Sequence, residues 1–128
     1  MAWQFRNDIP IYTQLIAQIQ QKIVSGALLP GERLPSVRDL AAEAGVNPNT
    51  MQRALMEMER EELVYSQRTA GRFVTEDGQR ISKLREDLAR GRVKDFLEGM
   101  YHLGFQMEEI LTFVKLEGEK GNHEHSGM

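Results

Sequence analysis

The chain has 128 residues, no cysteine, 41% hydrophobic residues and a formal net charge of −3, with a sequence pI of about 5.6. Disulfide frameworks and cysteine zinc sites are excluded, and the acidic balance argues against a histone-like protein held to nucleic acid by bulk charge. A reader that keeps positive charge only where phosphates sit stays open. No apolar run approaches the roughly 20 residues that span a bilayer. The opening MAWQFRND lacks a basic-then-apolar leader pattern, so the sequence reads as cytoplasmic with no membrane partner.

Residues 1–9 read as a lead-in. Pro10 opens a helical pattern in which Tyr12, Leu15, Ile16, Ile19 and Ile23 share one face, and the glutamines between them are expected to face solvent. Gly26 is a C-terminal stop. The stretch ALLPGERLP, residues 27–35, reads as a loop: Pro30-Gly31 marks a turn, and Pro35 keeps Leu34 out of helix. Ser36 then caps a second helix, with Asp39 completing a capping-box pattern and Val37, Leu40 and Ala41 on its buried face. That helix ends at Ala44-Gly45.

Gly45-Val46-Asn47 is a tight turn. Asn47 suits an N-cap and Pro48 the first helical position. Met51, Leu55 and Met58 form one buried stripe of the next helix, and Asn49, Thr50, Gln52 and Arg53 fall off it. Helix, short turn, helix is a helix-turn-helix. Its second helix lays its first turns in a DNA major groove, where Asn and Gln suit adenine and Arg suits guanine. The capped N-terminus also offers N–H groups to a phosphate. Leu63 to Ser66 and Arg72 to Thr75 read as two strands joined by residues 67–71, a hairpin wing with Gly71 available for positive φ.

From Gly78 the pattern is helical again, with Ile81, Leu84 and Leu88 in register and Val93, Phe96, Leu97 and Met100 continuing it. Gly104 breaks the helix. Gln106 to Glu109 starts another, with carboxylates where the dipole favours them and Met107, Ile110, Leu111 and Val114 in a stripe. Residues 118–128 read as a disordered tail. The expected fold is mainly α with a small β-hairpin. A winged helix-turn-helix domain spans residues 1–76, and a short helical dimerisation segment spans 77–117.

The stretch from Gly26 to Val74, with PGERLPSVRDLA, GVNPNTMQRAL and AGRFV in order, resembles the winged helix-turn-helix of the GntR family of bacterial transcription regulators. The likeness covers residues 10 to about 75. The short helical remainder is similar to the YtrA-like subfamily, which uses a two-helix extension chiefly for dimerisation. The resemblance implies DNA contacts from Ser36 and Arg38, from Asn47, Asn49, Thr50, Gln52 and Arg53, and from the wing at Arg68, Thr69, Gly71 and Arg72. Family wings often read Arg-Gly-x-Gly-Thr-Phe-Val. Here Thr69 replaces the first glycine and is expected to hold the backbone further from the groove, while Arg72 replaces the threonine and is expected to compensate by binding phosphate.

Each residue has a plainer reading. Arg38 can form a surface ion pair with Asp39 or Glu43, and Arg53 with Glu57 at i+4. Ser36 and Asn47 are caps first, and Arg72 can simply solubilise an edge strand.

Leu84, Leu88, Phe96, Leu97, Met100, Tyr101, Met107, Ile110, Leu111 and Val114 are more large apolar side chains than two short helices bury alone. A second protomer is the economical cover, which sets two recognition helices about 34 Å apart on a pseudo-palindromic site. The alternative is a monomer whose extension packs back on its own winged domain. His102, His123 and His125 make a poor metal set, and no nucleophile-and-base pair or paired carboxylates stands out. The expectation is therefore a non-enzymatic repressor with no cofactor and no metal. It binds a double-stranded DNA operator as a homodimer, and its small-molecule effector is unknown, being absent or bound between protomers. The rivals are a winged-helix protein-interaction module and a subunit of a larger assembly.

Overall fold

The computed structural model describes residues 2–126, with side chains as far as Gly121. The elements are α1 (Ile11–Ser25), α2 (Val37–Ala44), α3 (Pro48–Arg60), β1 (Val64–Gln67), β2 (Gly71–Val74), α4 (Gly78–His102) and α5 (Met107–Ser126). They fall into two compact units, Met1–Glu86 and Asp87–Met128. The helices and the hairpin lie where periodicity and turn residues place them. Both strands are shifted by one residue, β1 towards the C-terminus and β2 towards the N-terminus.

In the first unit α3 is central and packs against α1, α2 and β1. Leu15 and Ile23 of α1, Met51, Leu55 and Met58 of α3, and Leu63 are all essentially without solvent exposure. Each such side chain contributes about 1.5–3 kcal/mol relative to an exposed one. Leu40, Ala41 and Ala44 of α2 close the same core, and Ile81 and Leu84 are also buried.

The turn between α2 and α3 follows its residues. Ser36 Oγ accepts from the Asp39 N–H at 3.1 Å, and Asn47 Oδ1 accepts from the Asn49 N–H at 2.8 Å. Gly45 sits in the left-handed region at φ 72°, and the Val46 N–H returns to the Ala41 carbonyl at 2.9 Å. These bonds satisfy the orphan groups at both helix ends.

The segment expected to be a plain loop before Ser36 lines β2. Leu34 N–H donates to the Arg72 carbonyl, and Val74 N–H donates to the Glu32 carbonyl, both at 2.9 Å. Leu34 points inward and is 5% exposed, while Arg33, its neighbour on an extended chain, is exposed. In the hairpin itself Tyr65 pairs with Phe73, their rings stacked at 5.6 Å, and Ser66 pairs with Arg72.

Two expectations for the N-terminal third are corrected. The lead-in is a strap held along α1, and the glutamines are its fasteners. Gln14 is 9% exposed. Its Nε2 donates to the Arg6 and Ile9 carbonyls at 2.8 and 2.6 Å, and its Oε1 accepts from the Arg6 N–H at 2.7 Å. Gln18 makes a similar reciprocal pair with the backbone of Gln4. Lys22 lies 4.7 Å over the Trp3 ring and donates to the Ala2 carbonyl.

In the second unit Ile110 is 1% exposed, and Phe105 meets Phe113 edge to face at 5.0 Å. Gly104, at φ 93°, makes the turn that ends α4. The expected disordered tail, 118–128, is helical through Ser126, because α5 carries on past Gly118. Residues 127 and 128 lie outside the described residues.

Candidate nucleic-acid interface

The face of α2 and α3 away from the core carries Arg38, Asn47 and Asn49, all exposed, and Thr50 and Gln52, half-buried. Arg38 makes no ion pair or hydrogen bond among the described residues, so the alternative pairing with Asp39 or Glu43 is not formed. Ser36 and Asn47 do act as caps, with both side-chain oxygens committed to backbone N–H groups.

Arg53 does not form the alternative pair with Glu57. Glu57 pairs with Arg60 at 2.7 Å, and the Arg53 guanidinium stacks 4.4 Å over the Tyr12 ring. A stacked guanidinium keeps its N–H edge available, and the ring limits its rotamers. Tyr12 therefore positions Arg53, a role that its place in the apolar stripe of α1 did not signal.

The wing carries Arg68 and Thr69, both exposed, in a three-residue connection between β1 and β2. Gly71 has φ 104°, and a Cβ there would lie 3.3 Å from Arg33 Nε. Arg33 is thus a further cation at the wing base that sequence reasoning missed. The signal was available: Pro35 forces an extended chain, on which Arg33 must face opposite to buried Leu34.

Arg72, expected to bind phosphate, is a joint between the hairpin and α3. Its Nε donates to Glu59 Oε1 at 2.7 Å, and its Nη1 donates to Gln52 Oε1 at 3.2 Å. Its side chain is only 19% exposed. Ser66 Oγ donates to the same Glu59 oxygen. Burial pushes the Glu59 carboxyl up, but the Ser66 and Arg72 hydrogen bonds and the Arg72 charge outweigh it, leaving the pKa below the usual carboxylate value. One network thus ties β1 and β2 to two turns of α3. Glu59 itself gave no sequence signal, since a glutamate in MEMEREE reads as a solvated face.

Of the proposed dimerisation residues, Leu84 is buried in the first unit and Ile110 in the second. Leu88, Leu97 and Met100 are half-buried. Phe96, Tyr101, Met107, Leu111 and Val114 are exposed. His102 is exposed, and the side chains of His123 and His125 lie outside the described residues, so the metal reading falls largely outside them too. No helix among the described residues is long and apolar enough to cross a membrane.

A capped helix-turn-helix with a hairpin wing braced on its second helix defines a winged-helix transcription regulator. The family of bacterial regulatory proteins called gntR matches residues 11–74, and the chain belongs to it. It is 41% identical to the HTH-type transcriptional regulator YhcF of Bacillus subtilis over 118 residues, covering 92% of this chain and 98% of the relative. It is 30% identical to the HTH-type transcriptional repressor YtrA of the same organism over 111 residues, 86% of this chain and 85% of the relative. A solved GntR-family regulator from Listeria monocytogenes superimposes with a TM-score of 0.80 at 40% identity, covering 87% of this chain and 97% of that one. The DNA-binding domain of AraR, solved in complex with operator ORX1, matches 59% of this chain and 96% of its own at a TM-score of 0.53 and 26% identity. The chain is a transcription regulator with a DNA-binding domain of the gntR type and a YtrA-like short extension, not an enzyme.

Proposed function

We propose that this regulator is a cytoplasmic repressor that reads a pseudo-palindromic operator as a homodimer. The observation that carries the reading is the polar face at the start of α3, where Asn49 is exposed, with Arg38 on α2 exposed and without a partner among the described residues. Asn49, Thr50 and Gln52 meet base edges, and Arg38, Arg53 and the wing cations Arg33 and Arg68 meet phosphates. A few cations placed where phosphates lie reconcile an acidic chain with DNA binding.

Support for the operator comes from the AraR domain, which matches this fold and was solved on operator DNA. Support for repression comes from YtrA, a named repressor. Support for the homodimer comes from the second unit, where Val93, Phe96, Tyr101, Leu111, Val114 and Leu116 are each between 43% and 59% exposed. Exposed apolar surface of that density asks for a partner, and a second copy closes it with two-fold symmetry. An effector, if one acts, binds between protomers.

Selection of binding sites from sheared host genomic DNA tests the whole reading, combined with sedimentation at low micromolar concentration. Enrichment of a two-fold symmetric motif by a dimer is expected. A folded protein that enriches nothing contradicts the reading and favours a winged-helix protein-interaction module.

A further inference from the structure

We propose that Arg72 sets the base preference of Gln52, biasing its amide towards donating and so towards guanine over adenine. This rests on α3 being the recognition helix, as proposed above. A free glutamine amide is two-faced. It pairs with adenine by accepting from the N6 amino group and donating to N7. Gln52 is not free in that sense. Its Oε1 accepts from Arg72 Nη1 at 3.2 Å. An arginine has only donors, so the oxygen, not the nitrogen, must face it, whichever way the amide is first drawn.

The arginine is itself held. Glu59 Oε1 takes Arg72 Nε at 2.7 Å and the Ser66 hydroxyl as well, so the guanidinium is fixed from both strands of the wing. Gln52 Nε2 has no partner among the described residues. One of the two lone pairs of the amide oxygen is taken and a guanidinium charge lies beside it, which disfavours the approach of a further donor, so the group that meets DNA most readily is the NH2 with its two protons. The major-groove edge of guanine presents two acceptors, N7 and O6, and takes such a group well. Adenine sets its N6 amino donor against the same NH2, and cytosine does so with N4. Thymine offers one acceptor flanked by a methyl group and ranks below guanine. Gln52 thus reads contrary to the adenine preference that a glutamine on a recognition helix implies on its own. Glu59, Ser66 and Arg72 are positioning residues for that choice.

The test is selection of the full chain on a randomised double-stranded DNA library, with four proteins in parallel: wild type, Gln52→Ala, Arg72→Met and Gln52→Glu. The position whose preference vanishes in Gln52→Ala is the one Gln52 reads. There the wild type is expected to favour guanine over adenine at least about fivefold, the low end of a good base contact. Arg72→Met frees the amide oxygen, and the guanine-to-adenine ratio falls at least about fivefold. Gln52→Glu keeps an acceptor for Arg72, so the wing stays anchored, but it removes the donor. Guanine preference is then lost. This variant carries the test if circular dichroism shows that Arg72→Met does not fold.

Adenine at the Gln52-dependent position of the wild type overturns the inference. So does guanine retained by Gln52→Glu, an unchanged ratio in folded Arg72→Met, or a site with no Gln52-dependent position. In all four cases sites are still enriched, so the DNA-binding reading stands. Failure of the wild type to enrich any site overturns both.

Discussion

If Glu59 and Arg72 join the wing to the recognition helix, their energies must be coupled. Arg72 is 19% exposed and Glu59 31%, with 2.7 Å between Nε and Oε1. Fully exposed pairs couple by about 0.2–1 kcal/mol. Removing one partner of a fully buried pair costs about 3–5 kcal/mol, because the other charge is stranded. This pair lies between those limits. Solvent still screens it, so we expect Glu59→Ala to destabilise the first unit by about 2 kcal/mol, and a double-mutant cycle with Arg72→Ala to return a coupling of about 1.5 kcal/mol. For a domain of this size, the single substitution lowers Tm by roughly 10 °C. Trp3, the chain's one tryptophan, lies in the first unit, so urea unfolding followed by its fluorescence reports that unit. The Glu59 pKa is lowered in the folded state, so the stabilisation is present above the unfolded value of 4.5 and is lost as pH falls through the folded pKa. The coupling should therefore shrink in strong acid. Additivity within about 0.5 kcal/mol at pH 7 would refute the joint and leave the pair a surface contact of no energetic consequence.

Gln14→Ala removes three hydrogen bonds to the strap. Water replaces part of each, so we expect a loss of about 1–2 kcal/mol and fast amide exchange confined to residues 2–9 and the start of α1; unchanged exchange there would show that the strap is held elsewhere. Glu61 is pushed up by burial and by the neighbouring Glu57 charge, against Arg80 and a Gln20 hydrogen bond. Its ionised form is thus disfavoured by folding at neutral pH, and the penalty is relieved as pH falls below the raised pKa. Glu61→Gln should raise Tm at pH 7 and lose that advantage in acid, and a lowered Tm at pH 7 would contradict the reasoning. In the second unit, Phe96→Asp places a charge on a residue 43% exposed in the single chain. Sedimentation should show a monomer that keeps its helicity, whereas a dimer of undiminished affinity would move the interface elsewhere.

The helix-turn-helix was legible because each of its parts has a local cause. Ser36, Gly45, Asn47 and Pro48 are cap and turn residues whose geometry depends only on their neighbours, and Met51, Leu55 and Met58 keep one period. What escaped depends on contacts far apart in sequence. Gln14 looks solvent-facing until the strap folds back onto it, because its partners are backbone atoms of Arg6 and Ile9. Arg53 has an acid at i+4, yet Tyr12, 41 positions earlier, takes it across the α1–α3 contact. Glu59 and Arg72 meet only once the hairpin returns over α3. The end of α3 carried no glycine signal either, since Glu62 itself takes the left-handed conformation at φ 62°.

The most direct test of the central claim is the salt dependence of binding to an enriched site, measured by fluorescence anisotropy for wild type and Arg38→Ala. Log Kobs should fall linearly with log salt for the wild type. The slope should be shallower by about 1.8 in Arg38→Ala, which is about 0.9 for each of two phosphates lost by a dimer. The variant's Tm should be unchanged, because Arg38 has no partner to lose among the described residues. A flat salt response in the wild type, or an Arg38→Ala slope equal to it, would contradict DNA reading through this face.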